Sequence, residues 1–162
     1  MAKALVTGSF DPITRGHFAM IEMAARIFDE VTVCIFVNPD KMYCFSKEER
    51  LAFIRAGIHE LGLANVTADV SDGYVADYCK AHGIGFVVRG VRNADDMAYE
   101  AEMARYNHER NPLLETLMWQ CPPESVGISS TAVRKSLEKG KIPDDMLLCS
   151  TMELIRKSRG LI

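Results

Sequence analysis

Four short segments of this 162-residue chain carry side chains suited to gripping and activating phosphate groups. The first is Thr7-Gly8-Ser9-Phe10-Asp11-Pro12-Ile13-Thr14-Arg15-Gly16-His17. Gly8 permits a tight, closely approached turn, and Ser9 offers a hydroxyl and an amide. Gly16-His17 opens a helical pattern, whose free amides and positive dipole end attract anions. A lone histidine is most often an ordinary surface residue. Beside a glycine, a hydroxyl and a helix start, His17 reads as part of an anion site. The second segment, Asn38-Pro39-Asp40-Lys41, supplies a flexible ammonium that can follow a phosphate. The third, Val88-Arg89-Gly90-Val91-Arg92-Asn93, sets two guanidinium forks around a glycine, a bidentate match for phosphate oxygens. The fourth, Gly127-Ile128-Ser129-Ser130-Thr131, places three hydroxyls at a helix start, more than capping alone requires.

What is missing narrows the chemistry. No G-x-x-x-x-G-K-[ST] loop occurs, and the one G-x-G, Gly83-Ile84-Gly85, precedes a strand pattern and lacks its third glycine. H-E-x-x-H and G-x-S-x-G are absent as well. The four segments contain no paired carboxylates, cysteine nucleophile or metal-ligand cluster. Phosphoryl or nucleotidyl transfer by positioning and charge stabilisation fits that inventory.

The elements that must position these segments follow from periodicity. Strand patterns are expected at Lys3–Thr7, Val31–Val37, Asn65–Asp69, Phe86–Arg89 and Thr116–Gln120. Several are continuously apolar, as parallel strands covered on both faces are. Helices are expected at His17–Phe28, from a Ser46/Glu49 capping box to Glu60, and at Tyr74–His82 with Gly83 as a left-handed stop. Two more run from an Asn93 cap to about Asn111, and from a Ser129 or Ser130 cap to Lys139; a last amphipathic segment follows Pro143. Alternating strands and helices predict an α/β fold, a doubly wound five-stranded parallel sheet with a C-terminal helical segment. Residues 1–162 read as a single domain. The four phosphate-friendly segments then follow strands one, two, four and five, at the sheet edge where such folds bind ligands.

Composition sets the outer bounds. The chain is 48% hydrophobic and 25% charged, with 19 basic and 22 acidic residues and a net charge of −3. That balance argues against nucleic-acid coating, and no apolar run approaches the length of a membrane helix. The five cysteines have no metal-knuckle spacing. They read as reduced bystanders, and the strand-like Ala4-Leu5-Val6 start has no signal-peptide character, so a cytoplasmic protein is expected.

The TGSFDPITxGH stretch resembles the nucleotidyltransferase superfamily marked by an H-x-G-H or T-x-G-H motif. Arg89-Gly90-Val91-Arg92 with Asp95-Asp96-Met97-Ala98-Tyr99-Glu100 resembles the RGxR…D(F/M)xYE signature of bacterial phosphopantetheine adenylyltransferases. Ile128-Ser129-Ser130-Thr131 is similar to their I-S-S-[ST] motif. The resemblance covers essentially the whole chain, with motif order and length in agreement. It departs where Thr14 replaces the first histidine of H-x-G-H, as is common in this family. Ser9 stands where threonine is frequent, and Ser125-Val126-Gly127 replaces an aromatic-rich stretch.

The resemblance implies transfer of the adenylyl group of ATP to 4′-phosphopantetheine, giving dephospho-coenzyme A and pyrophosphate, with Mg2+. It implies catalytic roles for His17, Lys41 and Arg92. ATP would be bound by Ser9, Phe10, His17, Gly90, Val91, Arg92 and Glu100, with the run Ser125, Val126, Gly127, Ile128, Ser129, Ser130 and Thr131. Ser9, Lys41, Val75 and Arg89 would hold the acceptor. No protein residue is assigned to the metal. A homohexamer with feedback by coenzyme A is implied too. Two other enzymes share the superfamily motif, a cytidylyltransferase and a mononucleotide adenylyltransferase, and Thr14 with the RGxR block argues against both. A non-catalytic nucleotide-binding module would not need His17, Lys41, Arg92 and the hydroxyl trio together. A flavodoxin-like carrier would need neither the arginine pair nor TxGH.

Overall fold

The computed structural model describes residues 1–161. Strands β1 (Lys3–Gly8), β2 (Glu30–Phe36), β3 (Val66–Ser71), β4 (Phe86–Val91) and β5 (Glu115–Gln120) alternate with helices. These are α1 (Arg15–Ile27), α2 (Lys47–Glu60), α3 (Val75–His82), α4 (Ala94–Arg110), α5 (Ser130–Glu138) and α6 (Cys149–Ser158), with a short 3-10 turn at Pro123–Ser125. The sheet order is β3-β2-β1-β4-β5. Every neighbouring pair is parallel. The chain winds outward from β1 to β3, then returns to lay β4 on the other side of β1. The crevice above the β1/β4 boundary is therefore the switch point, where loops leaving adjacent strands diverge.

The strands alternate between two cores. Ala4, Val6, Val31, Val33, Ile35 and Val88 pack on the side of α1, α2 and α6, with Phe18, Ile21, Phe53, Ile54 and Ile155. Leu5, Cys34 and Val87 face a smaller cluster with Ala76, Cys79, Ile84 and Leu114. Helix starts follow the expected chemistry. Ser46 accepts from the Glu49 amide and Glu49 answers on the Ser46 amide. Asn93 accepts from the Asp96 amide, and Gly83 takes the left-handed conformation (φ 64°).

Two expectations need correction. Gly90 and Val91 lie inside β4 rather than in a loop after Arg89, because β4 pairs with β5 out to Val91 opposite Gln120. That pairing overrides the glycine. The tight turn after β1 does not use left-handed backbone at Gly8; Phe10 does, at φ 46°. A bulky residue there is strained by about 1–3 kcal/mol. It is held because its ring is 2% exposed, seated over Gly8, where a Cβ would come within 3.1 Å. The buried residues of α4 are the polar Glu100 and Asn107, so its inner face walls a cavity rather than closing a core.

Candidate active site

His17 sits in the first turn of α1, beside the cap residue Thr14. The Thr14 side chain accepts from the His17 amide, and the Thr14 amide donates to His17 Nδ1 at 3.1 Å. The Thr14 hydroxyl is also 3.0 Å from Nδ1. Donors on Nδ1 assign the ring proton to Nε2, which is left for the cavity. Burial, with the Arg89 and Arg92 charges nearby, pulls the ring down from its ordinary 6.5 to about 4. At neutral pH this is an uncharged imidazole offering one N–H.

Two cavities open at this sheet edge, and His17 lines the first. The first, of about 350 Å³, contains Ser9, Phe10, His17, Lys41, Arg89, Gly90 and Arg92, with Ser125, Ile128, Ser129, Ser130 and Thr131. The second, of about 360 Å³, lies between the sheet and α4, walled by Phe36, Val75, Val87, Tyr99, Met103, Asn107 and Thr116. Thr7, Gly8, Ser9, Lys41, Arg89 and Glu100 border both, so they form one two-lobed cleft. Most of the expected residues are thus brought together, Val75 in the second lobe among them. Val91, Val126 and Gly127 are not. The Val91 side chain is buried within the core, and Val126 and Gly127 lie on the exposed turn after the 3-10 segment.

The cations differ in how they are engaged. Arg89 grips the Glu100 carboxylate with two bonds, Nε–Oε2 at 2.9 Å and Nη2–Oε1 at 2.7 Å, and donates to the Thr7 carbonyl. Glu100, 7% exposed, is thereby held to Arg89 rather than free for a nucleotide. Arg92 donates from Nε to Asp96 at 2.9 Å, which keeps the Asp96 carboxyl below its usual range. Lys41 donates to the Ser9 hydroxyl at 3.2 Å and has no carboxylate partner among the described residues.

The hydroxyl trio divides its work. Ser129 caps α5 by accepting from the Ala132 amide at 3.1 Å, Ser130 donates to the Pro12 carbonyl at 2.8 Å, and Thr131 accepts from Arg134 at 3.1 Å. What α5 offers a phosphate is therefore the first-turn amides of Ser130 and Thr131 with the free protons of the Ser129 and Thr131 hydroxyls.

Sequence reasoning passed over several residues. The Asp11 carboxylate accepts from the Cys44 and Phe45 amides at 2.7 and 2.9 Å, tying the Lys41 loop to the β1–α1 loop. Arg134 donates to the Asp11 carbonyl at 2.7 Å, tying α5 to the same point. Only the TGSFDP context marks Asp11; nothing local marks Arg134. Cys121 also lines the first lobe, so one of the five cysteines is not a bystander to the cleft. Burial raises its thiol, which disfavours the nucleophilic thiolate.

A nucleotide-sized cleft at the switch point of a 3-2-1-4-5 parallel sheet, with a T-x-G-H histidine at its centre, defines a nucleotidyltransferase-type domain. The cytidylyltransferase-like family model matches residues 5–136. A crystal structure from Vibrio parahaemolyticus, provisionally named a nicotinate-nucleotide adenylyltransferase, superposes with a TM-score of 0.66 over 96% of this chain and 99% of its own. At 21% identity it supports the fold alone. A phosphopantetheine adenylyltransferase of Frankia casuarinae is 36% identical over 154 residues, 91% of this chain and 94% of its own. One from Streptococcus pneumoniae is 40% identical over 148 residues, 88% of this chain and 91% of its own. The chain belongs to the phosphopantetheine adenylyltransferase family.

Proposed function

We propose that this chain transfers the adenylyl group of ATP to 4′-phosphopantetheine, releasing pyrophosphate and forming dephospho-coenzyme A. The observation that carries this reading is the two-lobed cleft: one lobe has a helix-amide and hydroxyl cradle, and the other has an apolar wall. Phe36, Val75, Val87 and Met103 suit an uncharged pantetheine arm. Ser9 and Lys41, at the junction, suit the acceptor's phosphate, which needs positive charge and donors. Arg92 and the α5 N-terminus suit the polyphosphate.

The acceptor phosphate is already an anion and needs no general base. One of its oxygens attacks the α-phosphorus in line, the bond from that phosphorus to the bridging oxygen breaks, and pyrophosphate leaves with the electron pair. The Nε2–H of His17 donates to a non-bridging oxygen as charge gathers there. Lys41 and Arg92 hold the attacking and departing phosphates, so catalysis is positioning and charge stabilisation.

Mg2+ belongs to the same proposal. Among the described residues no three His, Cys, Asp or Glu side chains converge, and Asp96 and Glu100 are taken by Arg92 and Arg89. Mg2+ keeps waters readily and takes phosphate oxygens, so it would enter with the ATP phosphates and draw off charge as pyrophosphate leaves. Coenzyme A, which carries both the pantetheine arm and the adenylyl group, would occupy both lobes and compete with substrate. A cytoplasmic location and a homohexamer complete the proposal. Exposed Met97, Tyr99, Tyr106, Leu113 and Leu117 around α4 and β5 provide apolar surface for self-association. Pyrophosphate release compared between ATP with 4′-phosphopantetheine and CTP with glycerol phosphate tests the assignment. Release with the first pair alone is expected; release with the second alone would move the chain to the cytidylyltransferases.

A further inference from the structure

Arg50, in the first turn of α2, is among the most deeply buried side chains in the protein, at 2% exposure. Its Nη1 donates to the Ser9 carbonyl at 2.7 Å. Its guanidinium lies 4.0 Å from the centre of the Tyr43 ring. Its Nε has no hydrogen-bond partner, and no carboxylate among the described residues lies within ion-pair distance. The nearby acids are occupied elsewhere: Glu49 with the Ser46 amide and the Ser158 hydroxyl, Asp11 with the Cys44 and Phe45 amides.

A buried guanidinium stays charged, and leaving it without a counter-ion is costly; replacing such a group by an apolar one of similar size often stabilises a fold. Here the cost has a place in the architecture. Arg50 touches both loops of the cleft junction, the β1–α1 loop through Ser9 and the β2–α2 loop through Tyr43. The Tyr43 hydroxyl accepts from the Asn38 amide at 3.1 Å at the base of the turn that presents Lys41. Ser9 and Lys41 in turn meet at 3.2 Å. Arg89 and Arg92 have carboxylates against them, whereas Lys41 and Arg50, at the Ser9 end, have none. That end holds two positive charges, neither with a carboxylate within ion-pair distance among the described residues.

We propose that Arg50 is a positioning residue for the phosphate-binding end of the cleft, holding the Ser9 and Lys41 loops together as a buried cation whose counter-charge arrives with the bound phosphate. The proposal deepens the assignment of that end to the acceptor's phosphate and rests on it. Arg50 itself lies behind Ser9 and acts through it.

The full chain is compared with Arg50→Met and Arg50→Lys, each assayed at least about 15 °C below its own unfolding midpoint. The Met variant is expected to unfold no lower than the wild type without ligand, because an unpaired buried charge has been removed. Its KM for 4′-phosphopantetheine is expected to rise tenfold or more, with the KM for ATP moving less than threefold. The Lys variant, which keeps the charge and loses the planar fork, is expected to fall between. An unchanged acceptor KM in both variants overturns the proposal, as does a loss confined to kcat that follows a lowered midpoint. If the Met variant does not fold, Arg50→Lys and Tyr43→Leu are read by the same criterion, an acceptor KM raised about threefold against one unmoved. Wild-type enzyme that releases no pyrophosphate from these substrates would sink the acceptor assignment instead. Arg50 is then decided by the rise in unfolding midpoint with inorganic phosphate, expected in the wild type and reduced by at least half in the Met variant. Equal rises overturn it.

Discussion

His17 does its work as a neutral donor. With Nδ1 taken by the Thr14 amide and hydroxyl, the ring presents Nε2–H, and burial beside Arg89 and Arg92 holds its protonation down near pH 4. The sign matters: a histidine with a lowered folded value is disfavoured in its charged form, so folding loses ground as pH falls from 6.5 toward 4 and gains nothing further above 6.5. Nitrogen chemical shifts of the free protein between pH 5 and 8 should show one constant tautomer protonated at Nε2; a midpoint near 6.5 would contradict the site described. His17→Ala removes one donor to the transition-state oxygens, worth about 2.7–4 kcal/mol, or roughly a hundred- to thousand-fold in kcat. Its thermal midpoint should fall only slightly, since the backbone amide at position 17 still donates to the Thr14 hydroxyl and only the ring's bonds to Thr14 are lost. His17 was legible in sequence because a glycine, a hydroxyl and a helix start flank it. Arg50 was not: an arginine in the first turn of a helix, directly after the Ser46/Glu49 capping box, ordinarily points to solvent. Its surroundings include Tyr43 and the Ser9 loop, which are brought to it only by the fold.

Among the elements, the contact between α1 and α2 is the least forgiving. Gly57 of α2 lies against the Phe18 ring of α1, where an added Cβ would come within 2.0 Å of a ring carbon, and Phe18 is 1% exposed. A glycine inside a helix would ordinarily gain about 1 kcal/mol on becoming alanine. Here overpacking costs about 1–3 kcal/mol or more, so Gly57→Ala should lower the urea midpoint, and a raised midpoint would show that Phe18 can move. The strands and capped helices were readable to within two residues at most ends, from apolar runs and from Ser46, Asn93 and Gly83. The exceptions have physical causes. β4 extends through Gly90 because partner β5 supplies the pairing, and α4 carries Glu100 and Asn107 inward because a cavity rather than a core lies beneath it.

Over the whole molecule, the net charge of −3 conceals a cleft whose charges are arranged rather than simply positive. Sequence alone pointed to a cluster of Lys41, Arg89, Arg92 and His17. In the structure His17 is neutral, Arg89 and Arg92 are each matched by an acid, and the uncompensated charge is left at Lys41 and Arg50. Pairing depends on side-chain geometry across α4 and β4, which spacing along the chain does not specify. The exposed apolar residues of α4 and β5 lead to a second whole-molecule expectation. Light scattering on the purified chain should give a mass well above 18.1 kDa, approaching six copies; a persistent monomer at micromolar concentration would contradict self-association. Among the described residues no helix is long and apolar enough to cross a membrane.

The proposed transfer is one direct displacement, made by positioned donors without a covalent adenylyl-enzyme. The most direct measurement uses ATP in which sulfur replaces one non-bridging oxygen on the α-phosphorus, as a single diastereomer at that phosphorus, incubated with 4′-phosphopantetheine and the full chain. In-line attack predicts pyrophosphate release and a thio-substituted dephospho-coenzyme A of inverted configuration. Retained configuration, or no adenylyl product, would contradict it.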